Sequence, residues 1–98
     1  MFGALVIDVL AREVSVDRRP VELTRTEFDL LDTLSERRRV AFSRSQLLER
    51  IWGGGEWAGD EHLVDVHVGR LRRKLGDDAR EAKYIRTIRG IGYRMGEG

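Results

Sequence analysis

Arg70, Arg72, Arg73 and Lys74 crowd the end of the stretch "DVHVGRLRRKL", and Arg86, Arg89 and Arg94 follow within "YIRTIRGIGYRM". A guanidinium offers a rigid fork of donors that can bond two acceptors at once, on a guanine edge or on a phosphate. Residues 69–94 hold nine basic and three acidic side chains, whereas residues 1–60 hold nine basic and eleven acidic ones. A balance that reverses along the chain points to one face built for an anionic partner, against the plainer reading of arginines that are simply solvated.

Other chemistries find little support. There are no cysteines, hence no disulfide framework and no thiolate chemistry, which fits a reducing cytoplasm. The two histidines, His62 and His67, stand five residues apart, about 140° around a helix and unlike the i, i+4 geometry of a metal pair. No constellation of nucleophile and base converges, so no enzyme activity, metal, cofactor or small-molecule substrate is expected. The seven aromatic residues fall at apolar-patterned positions and offer no stacking platform for single-stranded RNA. The apolar runs are too short to span a membrane, and the start "MFGALVIDVLAREV" lacks the features of a signal peptide.

The cations need elements to position them. Ninety-eight residues make one small domain. "LVIDV", "EVSVD" and "PVEL" predict an antiparallel meander over residues 4–23, with Asp8 and Glu22 on its wet face. A three-helix core is expected over residues 24–76. Thr24 with Glu27, and Ser43 with Gln46, have capping-box spacing at the first two helix starts. Phe28, Leu31 and Leu34 give the first helix an apolar face; Leu47, Leu48, Ile51 and Trp52 give the second one. "GGG" ends the second helix, "GGGEWAGD" is a loop, and Asp60 is placed to cap the third helix, over residues 61–75. In that helix Val64, Val68, Leu71 and Leu75 fall within about 60° of one another, a core stripe. His62, Val66, Gly69, Arg70 and Arg73 lie opposite. Alternation in residues 83–95 around "GIG" predicts a β-hairpin.

Three short helices, the last basic on its free face, followed by a basic hairpin, make a helix-turn-helix with a wing; the third helix would enter a DNA major groove. The blocks "ELTRTEFDLLDTL", "FSRSQLLERIWG", "VDVHVGRLRRKL" and "IRTIRGIGYR", in order from roughly Leu5 to Met95, resemble the effector domain of OmpR/PhoB-type response regulators, which are bacterial transcription factors. The resemblance implies an α+β fold with a four-stranded N-terminal sheet, three helices and a hairpin paired with a short extra strand. It implies sequence-specific binding of double-stranded DNA in the bacterial cytoplasm as the output of a two-component system. A winged helix that only binds protein is the alternative, and the salt dependence of DNA binding separates the two. The family usually carries a receiver domain with a phosphorylatable aspartate; this chain starts at the sheet, so a receiver is expected to be absent from it.

Residue by residue, the resemblance implies base reading at Arg70 and insertion of Arg89, beside Gly90 at the wing tip, into the minor groove. Val66 could meet a thymine methyl, and Leu63 and His67 flank the same face; His67 is equally readable as a packing histidine. Phosphate contacts are expected at Arg44, Trp52, His62, Arg72, Arg73, Lys74, Arg86, Thr87, Gly90 and Arg94, although Trp52 could instead cap the core. In the family the loop holding Glu56 and Trp57 touches RNA polymerase; here Trp57 is either an exposed anchor or folded back. Family members pair on tandem direct repeats of DNA, so self-association is expected there and weak association without DNA. His62, Leu63 and Gly69 depart from the family's usual residues. Glycine in a helix interior costs roughly 1 kcal/mol against alanine.

Overall fold

The computed structural model describes residues 1–78 and 80–98. The β-branched runs form β1 (Leu5–Asp8), β2 (Glu13–Val16) and β3 (Arg19–Val21), an antiparallel sheet in the order β1-β2-β3. Leu5 pairs with Val16 and Ile7 with Val14, and these residues pack inward while Val6 and Asp8 face solvent. The sheet has the three strands that alternation predicts, not the four implied by the resemblance. Before β1 there is one isolated bridge, Phe2 to Leu5, whose reciprocal backbone bonds of 2.9 Å close a turn too tight to continue as a strand. Pro20 sits inside β3 rather than at its start. That strand is an edge, where the missing N–H of proline is tolerated.

Helix α1 (Arg25–Glu36) and helix α2 (Arg44–Trp52) both open with complete capping boxes, Thr24 with Glu27 and Ser43 with Gln46. Gly53 ends α2 in the left-handed conformation at φ 79°. The glycine-rich segment is not all irregular: Gly55–Trp57 forms one 3-10 turn. Helix α3 runs His62–Leu75. Asp60 does not cap it. The N-cap is Glu61, already in right-handed helical conformation and without a side-chain bond, and Asp60 lends Leu63 its backbone carbonyl at 3.1 Å. The chain enters α3 from a preceding turn, so no extended residue is left to aim an oxygen at the first amides. Among the described residues no helix is long and apolar enough to cross a membrane.

Strand β4 (Phe42–Ser43), between α1 and α2, joins the C-terminal hairpin β5 (Ile85–Ile88) and β6 (Gly92–Met95) in a sheet ordered β4-β6-β5. Gly92 makes this closure possible, since a Cβ there would lie 2.1 Å from the Phe42 carbonyl oxygen. One core joins all the layers: Leu30, Leu31 and Leu34 of α1, Leu47 of α2, Val64 and Leu71 of α3, Leu5 and Ile85 are essentially inaccessible.

Helix α1 is tied to α3 by a charged pair as well. Glu27 is 2% exposed; its Oε1 accepts from the Thr24 amide at 2.8 Å and from Lys74 Nζ at 2.6 Å. Burial alone pushes this carboxyl's pKa up, but Lys74 and the Thr24 amide outweigh that and hold it below its ordinary value. A carboxylate depressed in the folded state adds stability above its unfolded pKa and loses it as pH falls through the folded one. Glu27→Gln should therefore destabilise the domain by roughly 1–2 kcal/mol at neutral pH. The gap from the parent should close as urea titrations move below the usual carboxylate range. A gap constant across pH would rule out the ionised pair as its source.

Candidate nucleic-acid interface

The stripe of Val64, Val68, Leu71 and Leu75 is buried, which turns the opposite side of α3 outward. There Arg70 and Arg73 are exposed and, with Arg89 at the hairpin turn, make no ion pair with any described residue. His62 is exposed at the helix start and Val66 is half-buried. Gly69 has a normal helical backbone, and a Cβ there would meet nothing within 4 Å. Packing does not demand this glycine; its effect is to leave the outer backbone of α3 uncovered beside Arg70.

Other expected contacts have internal partners. Arg72 curls back from α3 to β5: its Nε and Nη2 donate to the Ile85 carbonyl at 3.1 and 2.8 Å, and Nη2 donates to Thr87 Oγ1 at 2.7 Å. Arg44, at the start of α2, places Nε 2.6 Å from Asp65 Oδ1 on α3, and the Tyr93 hydroxyl of β6 donates to the same oxygen at 2.5 Å. The guanidinium carbons of Arg44 and Arg72 lie 5.1 and 5.5 Å from the centre of the Tyr93 ring. Burial raises the Asp65 pKa, but Tyr93 and Arg44 together hold it below its ordinary value; Tyr93 is pushed up by burial and by Asp65. Asp65 is thus a charged hub joining α2, α3 and the wing. Lys74 is held by Glu27, and with Arg73 it borders a groove shared with Asp17 and Arg19 at the N-terminal sheet.

His67 and Trp52 both have packing partners. His67 Nδ1–H donates to the Leu63 carbonyl at 2.9 Å, and its ring meets Trp52 edge-on with centroids 5.0 Å apart. Trp52 and Leu63 are both half-buried against the core. Trp57 is exposed over 41% of its surface, with Glu56 exposed beside it, so this ring is not folded away.

The hairpin register separates the expected wing contacts. Thr87 pairs with Tyr93 on the face bonded to α3, whereas Arg86 pairs with Arg94 on the opposite face. Arg89 and Gly90 are exposed at the turn, where Gly90 takes φ 79° and the Ile91 amide closes on the Ile88 carbonyl at 2.9 Å. Asp65 and Tyr93 escaped the sequence reading. Their partners lie 21 and 28 residues away, beyond any local pattern.

A three-helix unit with a solvent-facing basic third helix, closed by a β-hairpin on a short extra strand, defines a winged helix-turn-helix domain. The chain belongs to the family described as "Transcriptional regulatory protein, C terminal", which matches residues 18–95; these are the output domains of OmpR/PhoB-type regulators. It is 47% identical over 94 residues to the transcriptional regulatory protein CseB of Streptomyces coelicolor, covering 96% of this chain and 38% of that one. It is 38% identical over 93 residues to the phosphate regulon regulator PhoB of Pseudomonas aeruginosa, covering 95% of this chain and 39% of the relative. The chain thus spans about two fifths of the length of these relatives. Among solved structures, the Klebsiella pneumoniae RstA DNA-binding domain in complex with the RstA box superposes with TM-score 0.90 at 35% identity, covering 100% of this chain and 96% of that one. The DNA-binding domain of CpxR from E. coli does so with TM-score 0.81, at 35% identity and the same coverage.

Proposed function

We propose that this domain binds double-stranded DNA sequence-specifically and regulates transcription, as the output domain of a two-component response regulator in the bacterial cytoplasm. One observation carries the reading: Arg70 and Arg89 are exposed and make no ion pair with any described residue, on two elements that Asp65, Tyr93 and Arg72 tie together. Helix α3 would lie in the major groove with Arg70 bonded to a guanine edge and Val66 against a thymine methyl. Arg89 would enter the adjacent minor groove, while Arg73 and His62 meet phosphates. Arg44 and Arg72 act chiefly by holding α2 and the wing against α3. The RstA domain, described in complex with its own box, supports the DNA assignment.

Selection of bound fragments from random genomic DNA tests binding and reveals the operator together. Salt titration tests the mode: neutralising about three phosphates loses roughly 40-fold in affinity between about 50 and 200 mM salt. A shallow salt slope with no enriched sequence would favour a protein-binding winged helix instead.

Tandem direct repeats in the selected fragments would fit two copies associating on DNA. RNA polymerase is the proposed partner of the Glu56–Trp57 turn, because the exposed indole is an apolar anchor on a glycine-flanked projection. Trp57→Ala should reduce transcription activation and leave DNA affinity unchanged. Loss of folding or of DNA binding would assign the ring a structural role.

A further inference from the structure

Arg38 and Arg39, from the turn after α1, and Arg86 and Arg94, from the wing, line one groove of about 460 Å³. None of the four makes an ion pair with a described residue. Arg86 and Arg94 are direct cross-strand partners, an arrangement of like charges that destabilises a hairpin unless something offsets it. The C-terminal end of α1 accounts for cations close after Glu36, since helix ends of that sense favour them. It does not account for two more arginines facing each other in the same groove. Gly96 forms part of the lining, and a Cβ there would strike the Lys83 carbonyl oxygen at 2.1 Å and press on Arg86 Cγ at 3.2 Å. The glycine thus lets the Arg86 stem lie close against the backbone.

Position separates this groove from the surface of α3. Thr87 and Tyr93 bond toward α3, so Arg86 and Arg94 open on the other side of the hairpin. Four guanidiniums against the one carboxylate of Glu97 leave a net of three positive charges around a concavity. That combination suits a small, multiply charged anion, which a forked donor set can grip from several sides. A duplex backbone, by contrast, is convex and extended.

We propose that this groove binds a compact polyphosphate group, either free or as the triphosphate of a nucleotide, through Arg38, Arg39, Arg86 and Arg94. The whole chain is titrated with sodium tripolyphosphate and, separately, ATP at constant ionic strength, followed by amide and arginine Nε–H resonances. Saturable shifts centred on the four arginines are expected. Arg38→Gln/Arg39→Gln should weaken tripolyphosphate at least tenfold, because charge-assisted bonds are lost, and leave operator affinity unchanged. ATP binding tighter than tripolyphosphate identifies a nucleotide as the source; equal or weaker binding identifies the free polyphosphate. The proposal is overturned if shifts centre on Arg70, Arg73 and Arg89, or if the double variant binds tripolyphosphate as well as the parent. It is overturned equally if that variant loses affinity only for duplexes extended beyond the operator, which would make the groove a DNA-backbone contact. A concentration-dependent dimer that buries the four arginines would assign it to a second copy.

Discussion

Arg70→Ala is expected to relax base preference at one or two operator positions, weakening the best site by roughly 1–3 kcal/mol and random DNA much less. The side chain is exposed in mid-helix with no ion pair to any described residue, so its removal should leave the fold intact. Arg89→Ala should act differently. If at the hairpin turn it senses groove width and potential, as proposed, the loss should concentrate on operators with A·T-rich flanks and spare the central motif. Both variants also remove a cation, so they must be compared at one fixed salt concentration. Equal losses on operator and random DNA for Arg70→Ala would reduce its role to holding phosphate, and base reading would pass to Val66.

Gly92→Ala is expected to have the largest effect on the fold itself. The added methyl would sit 2.1 Å from the Phe42 carbonyl oxygen, and 3.1 Å from both the Phe42 carbonyl carbon and Ser43 Cα. Those are backbone atoms, which cannot swing aside as a side-chain tip can. Relief requires β4 to leave β6, and Ser43 of β4 is also the N-cap of α2. The strain should therefore reach the start of α2 and the Arg44 bond to Asp65. A destabilisation of at least about 2–3 kcal/mol is anticipated in thermal or urea unfolding, at the upper end for overpacking. Unfolding at parental stability would show that β4–β6 pairing contributes little.

Local features were legible in the sequence because their partners are near in the chain. Both capping boxes join residues three apart, and the core stripe of α3 follows from helical geometry alone. Asp60 failed as a cap because its role depended on the conformation of the turn before it. For the candidate site, periodicity gave the outward direction of Arg70 correctly. It could not show that Arg72 and Lys74, also polar positions on α3, bend back to Ile85 and Glu27. Nor could it show that Arg86 and Arg94 turn away from Thr87, since that depends on which hairpin face the third helix covers.

The bonds meeting at Asp65 and the Ile85 carbonyl have a consequence for the DNA as well as the protein. They tie α3 to both strands of the hairpin, like the hinge of a caliper whose arms end at Arg70 and Arg89. In a duplex, inserting a single base pair moves the flank by about 3.4 Å and rotates it by roughly a tenth of a turn. Opening the caliper to follow that shift would cost the bonds to Asp65 and to the Ile85 carbonyl. On the proposed docking, the spacing between the bases met by Arg70 and the flank met by Arg89 would then become part of the operator's code, read with no side chain touching the pairs in between.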